Sequence, residues 1–183
     1  MMLNFEQLSY NKKDALLISM TDVTSFKRIE KELQEHASRD VLTGLFNRRA
    51  GIQFIEDLLQ QGKHPFCLCF VDANNLKHVK DKFGHNEGDQ IIQLIASTIA
   101  STLTGDGCLF RHGGDEFIIL LPKKPQDKLT YLDGDKIKRY PIAASFGTHD
   151  YAPGSTLTLS EMIDIADQEM YKSKQQHKEA PFQ

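Results

Sequence analysis

Two aspartates stand out by where they fall. Asp72 closes the apolar run Phe66–Val71, and Asp115 ends the stretch His112-Gly113-Gly114-Asp115. Carboxylates at the ends of neighbouring strands can converge on one hard cation, because Mg²⁺ takes oxygen ligands, commonly one or two carboxylates plus substrate phosphates. Gly113 and Gly114 remove side chains where a ligand or a second backbone must come close. After Asp72 the chain reads Ala73-Asn74-Asn75-Leu76-Lys77 and turns into a helix. The first N–H groups of a helix and its dipole suit phosphate oxygens, and Lys77 adds a point charge. Each feature also has an ordinary reading: an acidic helix cap at Asp72, a plain hairpin turn at Gly113-Gly114. Lys172, Lys174 and Lys178 read in the same way as favourable charge at the end of a last helix.

The elements that must position these residues follow from periodicity. Phe66–Val71 is a near-continuous apolar run of strand length, hence a buried central strand. Residues 108–111 and 117–121 are short strands around the glycine turn, a β-hairpin. Residues 142–147 form a further strand. Helices are expected over 47–61, closed by Gly62, over 89–103 with Ile91, Ile92, Ile95, Ile99 and Leu103 on one face, and over 160–175 with Ser160 as its cap. Lys123 to Arg139 is polar, contains Pro125 and Gly134, and reads as an irregular surface connection. This order predicts an α/β sandwich: a mixed central β-sheet flanked by helices.

Ahead of it, Ala15–Met20 is an extended apolar run. A charged helix then spans about 25–39, with Thr24 or Ser25 as its cap. Phe26, Ile29 and Leu33 form a narrow apolar seam on that helix. The seam fits either pairing with a second copy or packing on its own domain.

Composition limits what such a site serves. At 183 residues with 40% hydrophobic content, the chain holds one good core plus a short extension. The formal net charge of −3 provides no basic field for nucleic acid or anionic membrane. No apolar stretch is long enough to span a bilayer and the N-terminus lacks a secretion signal, so a cytoplasmic protein is expected. Cys67, Cys69 and Cys108 read as buried reduced thiols, with a metal pair at Cys67/Cys69 as the other option.

Five motifs in order then resemble the GGDEF domain family of diguanylate cyclases, over roughly Asp40 to Lys178. They are Asp40-Val41-Leu42-Thr43-Gly44-Leu45-Phe46-Asn47-Arg48-Arg49; Asp72 through Asp89 with Phe83-Gly84-His85 and Gly88-Asp89; Gly113-Gly114-Asp115-Glu116-Phe117; Ala144-Ser145-Phe146-Gly147; and Ala166-Asp167 to Tyr171-Lys172-Ser173-Lys174. The resemblance implies condensation of two GTP molecules into cyclic di-GMP and two pyrophosphates, with Mg²⁺, or Mn²⁺ in its place, as cofactor. Asp72, Asp115 and the Ala73 carbonyl would hold the metal, and Glu116 would support a second ion or its shell. The amides of Asn75, Leu76 and Lys77 would cradle phosphates, with the Lys77 ammonium offsetting transition-state charge. His85 and Asp89 would lie in the nucleotide pocket, Asp89 accepting from guanine N1–H and its amino group. Lys174 would reach the distal phosphates, with Lys178 where the family usually has arginine. Asp115 is also the candidate base for the attacking 3′-hydroxyl. One domain holds one GTP, so the resemblance implies a homodimer of facing domains joined through the linker helix. Residues 1–24 resemble the exit of a PAS sensor domain, and 179–183 are a tail.

Four departures accompany the resemblance. Lys80 stands where the family usually has a guanine-contacting asparagine; Asn74 replaces a common second aspartate; Thr104 and Gly107 replace the ends of the product-inhibition motif; and the 123–139 connection is short. Lys80 keeps two alternatives open: a GTP-binding regulatory module without turnover, or a cyclase of altered base choice.

Overall fold

The computed structural model describes residues 2–10, 13–103, 107–122 and 144–178. They fall into two compact units, residues 1–38 and 39–183. In the first unit, β1 (Met2–Tyr10) pairs antiparallel with β2 (Lys13–Thr21), and α1 (Thr24–Ala37) follows. The sequence reading found only the second of these strands. β1 is missed because its short alternation of Leu3 and Phe5 with Asn4 and Glu6 breaks at Gln7. Register places Leu3 opposite Met20 and Phe5 opposite Ile18 on one face, and all four side chains are exposed. The expected cap of α1 is corrected. Val23 is the N-cap residue without a side-chain bond, and the Asp22 carboxylate instead accepts from the Thr24 amide at 2.9 Å.

The second unit is built on a four-stranded sheet of order β4-β5-β3-β6. These strands are β3 (Phe66–Ala73), β4 (Cys108–Gly113), β5 (Glu116–Leu121) and β6 (Ala144–Tyr151). All its ladders are antiparallel, so the parallel component of the expected mixed sheet is confined, among the described residues, to an isolated bridge between Phe46 and Phe110. β3 lies at the centre because both its faces are apolar. Cys69, Val71 and Ala73 point into one layer with α3 (Leu76–Phe83) and α4 (His85–Thr102). Phe66, Leu68 and Phe70 point into the other, with α2 (Arg48–Gln61) and α5 (Leu159–Lys178). Each fully buried side chain of this kind contributes about 1.5–3 kcal/mol, so these layers hold the strand ends that carry the aspartates. All three cysteines are buried outside any disulfide, and burial pushes Cys108 up to about 11.

Helix boundaries follow local chemistry. Asn47 caps α2 by accepting from the Ala50 amide at 3.0 Å, and Gly62 ends it in the left-handed region at φ 59°. α4 begins at His85, four residues before the start at residue 89 expected from the sequence, because Gly84 at φ 92° breaks the chain between α3 and α4. β6 runs past Gly147 to Tyr151, and residues 142–143 lie outside the described set, as do the 123–139 connection, Thr104 and the tail. The cap of α5 is also corrected. Thr158, not Ser160, forms a capping box with Glu161: its hydroxyl accepts from the Glu161 amide at 3.3 Å, while the Glu161 carboxylate accepts from the Thr158 amide at 2.7 Å. Thr158→Ala is therefore expected to lower stability by about 1 kcal/mol in urea unfolding, and Ser160→Ala to leave it within about 0.5 kcal/mol. Among the described residues, no helix is long and apolar enough to cross a membrane.

Candidate active site

The ladder brings the acidic residues together. Asp72, next to last in β3, lies directly opposite Glu116, the first residue of β5. The Ala73 amide donates to the Asp115 carbonyl at 3.1 Å, tying the end of β3 to the β4–β5 turn. Asp72, Ala73, Asp115 and Glu116 thus share one corner of the sheet. Gly114 sits at φ 50°, and a Cβ there would meet nothing within 4 Å. That left-handed backbone conformation favours glycine at this position.

α5 crosses this corner on the Phe70 face. The Lys174 ammonium donates to the Asp72 carboxylate, with both side chains largely buried. Burial pushes Asp72 above its ordinary value; Lys174 offsets part of the rise, while Asp115 and Asp167 add to it. Glu116 is raised as well, by burial and then by Asp72, Asp115 and Asp167, with Arg48 opposing. His112 is pushed down by burial and by Arg48; its ring stands edge-on to Phe70 at 5.6 Å and its buried Nδ1 has no partner among the described residues. Negative charge here exceeds what Lys174 and Arg48 neutralise. Such a corner fits a divalent cation. Among the described residues no three His, Cys, Asp or Glu side chains form a metal site by themselves. A cation held by Asp72 and Asp115 would complete its shell with the Ala73 carbonyl, phosphates and water, the pattern usual for Mg²⁺.

Two residues that sequence reasoning did not pair hold the turn in place. Arg111 donates to the Gly114 carbonyl from Nε at 3.1 Å and Nη2 at 2.7 Å, and from Nη1 to both Asp40 oxygens at 3.0 and 3.1 Å. Asp40 accepts in addition from the Thr43 amide at 2.9 Å and its hydroxyl at 2.7 Å. Burial pushes Asp40 upward, but Thr43 and then Arg111 outweigh it and hold the carboxyl below the usual range. A depressed value adds stability above the unfolded aspartate pKa, and that stability is lost as pH falls through the folded value. Asp40 opens the first motif and Arg111 falls in an expected strand, yet 71 positions apart no periodicity links them. Arg111→Ala would strand a partly buried carboxylate and free the turn. We expect a loss of about 2–3 kcal/mol in denaturant unfolding, with faster amide exchange at Gly114 and Asp115.

The remaining expected residues occupy the loop and helices beyond Ala73. Asn75 adopts a left-handed conformation at φ 62°, and α3 starts at Leu76 with no side-chain cap, leaving first-turn amides open to a ligand. Lys77 is exposed. Asn74 faces inward instead: its amide nitrogen donates to the buried Ser145 hydroxyl at 2.9 Å, which in turn donates to its carbonyl oxygen at 3.1 Å. This reciprocal pair links β3 to β6 and gives the asparagine a structural role. His85 and Asp89, one helical turn apart, open α4, and Lys80 lies alongside them against Gly88. Lys178 is the last residue of α5, and its side chain lies outside the described set. A cleft of about 400 Å³ beside Phe54, Leu58, Phe66 and Pro122 holds none of these residues.

The four-stranded sheet thus gathers acids at one corner, with open helix amides beside them and a lysine from a crossing helix. The chain belongs to the GGDEF family: residues 37–180 match the description "Diguanylate cyclase, GGDEF domain". It is 35% identical over 173 residues to diguanylate cyclase DgcM of Escherichia coli, covering 87% of this chain and 41% of DgcM. The chain thus spans about two fifths of the length of that relative. Diguanylate cyclase SiaD of Pseudomonas aeruginosa, solved with its activator SiaC, is 26% identical with a TM-score of 0.68, covering 83% of this chain and 64% of SiaD. The coiled coil and GGDEF domain of DgcB from Caulobacter crescentus, solved with cyclic di-GMP, shares the fold at 24% identity and a TM-score of 0.74, covering 84% and 89% of the two chains.

Proposed function

We propose that this chain is a diguanylate cyclase that condenses two GTP molecules into cyclic di-GMP and two pyrophosphates, with Mg²⁺ held by Asp72, Asp115 and the Ala73 carbonyl. The meeting of Asp72, Asp115 and Glu116 at one sheet corner, under Lys174, is the observation that carries this reading. Held by these residues, Mg²⁺ would supply Lewis-acid polarisation of phosphate oxygens and positive charge for the transition state. The chain's own groups do the positioning that phosphoryl transfer demands. Amides of Asn75, Leu76 and Lys77 hold the phosphates, and the ammonium groups of Lys77, Lys174 and Lys178 balance their charge. Asp115 takes the proton from the 3′-hydroxyl as that oxygen bonds to the α-phosphorus of the opposite GTP and pyrophosphate departs. Glu116 supports the metal shell, and His85, Lys80 and Asp89 hold the base.

Each domain supplies one GTP, so two copies must face one another. The α1 seam supports this: Phe26, Ile29 and Leu33 are 73%, 49% and 64% exposed, enough apolar surface for pairing with a second copy. The apolar face of the β1–β2 hairpin supports the PAS-like reading of residues 1–24, because a lone hairpin rarely stands without further strands or a covering layer. A second reading, a GTP-binding module without turnover, draws on Lys80.

Purified chain incubated with Mg²⁺ and GTP, ATP or both, with products separated by chromatography, decides between them. Cyclic di-GMP from GTP alone, with a rate per molecule that rises with protein concentration, is the expected result. Tight GTP binding without product at high protein concentration would establish the second reading instead.

A further inference from the structure

α1 spans Thr24–Ala37, and its exposed apolar residues Phe26, Ile29 and Leu33 follow a spacing of three and then four. The next step of three reaches His36, which is exposed as well. These are the a and d positions of a heptad. A helix that packs on its own core shows a wider apolar stripe, at least about 100° across. Here Lys27 and Gln34 border the stripe on one side and Ser25 and Glu32 on the other. So narrow a seam fits a second copy of itself. His36 fills its last layer, just before the catalytic unit begins at residue 39.

We infer that His36 is a proton-sensitive layer of the α1 seam, closed when the two facing imidazoles are neutral and opened when both are charged. The inference rests on the dimer proposed above. Two catalytic units that follow the C-terminal ends of α1 and face each other need those ends side by side, hence a parallel pair. In register, such a pair sets each seam residue opposite its own copy, His36 on His36. The hole that receives a d-position side chain is formed there by the second copy's Leu33, His36 and Ala37, none of them anionic. On its own helix the charged neighbour one turn back is Glu32, which Arg28 engages at 3.7 Å. Beyond the helix end, Arg39 lies over the Phe46 ring at 4.2 Å. Neutral imidazoles pack against Leu33 as small aromatics, whereas charged ones bring two like charges together and must shed water. Histidine changes charge between about pH 5 and 8. Pairing therefore holds where both rings are neutral and is lost as pH falls and both take protons. Acidification then lowers cyclic di-GMP output by parting the copies, with the metal corner unaltered.

Sedimentation equilibrium of the full chain without nucleotide, at about pH 8 and about pH 5.5, tests this. We expect the dimer dissociation constant to rise about tenfold or more at the lower pH. His36→Leu should pair more tightly and lose the dependence, and Leu33→Glu should pair at neither pH. Wild-type pairing indifferent to pH, or a His36→Leu chain that keeps the dependence, would overturn the inference while the seam stands. Pairing unmoved by Leu33→Glu, or none at either pH, would overturn the seam and the inference together. The nucleotide site is checked apart from both, by calorimetric binding of the 3′-deoxy form of GTP, which cannot condense.

Discussion

Asp115→Ala should abolish cyclic di-GMP synthesis, by at least about a thousandfold, while the domain stays folded. A thousandfold loss corresponds to about 4 kcal/mol of transition-state stabilisation, within reach for a residue that both holds the metal and takes the proton. The fold should survive because the contact joining the turn to β3 runs from the Ala73 amide to the backbone carbonyl of residue 115, which alanine retains. The Arg111 bonds to Gly114 also remain. Removing one acid moreover relieves Asp72 and Glu116, both raised in part by the charge of Asp115. Unfolding curves should therefore match or slightly exceed wild type. Product formation above a tenth of wild type would refute the assignment, and Asp115→Asn should fail nearly as completely, since shape without charge does not serve.

Gly147→Ala should have the largest effect on stability, about 3 kcal/mol or more. A Cβ at this position would lie 2.1 Å from the Ala166 carbonyl oxygen and 2.2 Å from the Met170 nitrogen. Those atoms belong to the α5 backbone and cannot rotate away, so the helix must lift from β6. Ala166 and Met170 leave the core layer, and Lys174, one turn beyond Met170, moves off Asp72. In a domain of this size the melting temperature should fall by roughly 10 °C. Synthesis should drop further than the unfolded fraction explains. A melting point within 2 °C of wild type would show that β6 and α5 have more room than the structure gives them.

Much of this was legible in the residues. The six-residue apolar run at 66–71 marked the central strand, and the apolar spacing in α4 and α5 marked their buried faces. Asp72 and Asp115 were readable as neighbours because one falls at the end of an apolar strand and the other in the turn that leads into its antiparallel partner. Other features lie outside what spacing can express. The first turn of α4 carries polar residues and begins only because of the backbone angle at Gly84. The Asp40–Arg111 tie depends on tertiary proximity alone. Asn74 read as a lost charge, yet its bonds to Ser145 show an amide chosen for a partner 71 residues away. Thr158 took the cap from Ser160 because Glu161 sits three residues after the threonine, and the sequence reading weighed only the hydroxyl nearest the apolar repeat.

Mn²⁺ titration followed by electron paramagnetic resonance, with the 3′-deoxy form of GTP present, tests the shared cation most directly. Wild-type chain should take up Mn²⁺ at the nucleotide site, and Asp72→Ala and Asp115→Ala should each weaken that uptake by about tenfold or more. Unchanged uptake in both variants would contradict the account, because the two carboxylates would then hold no metal between them.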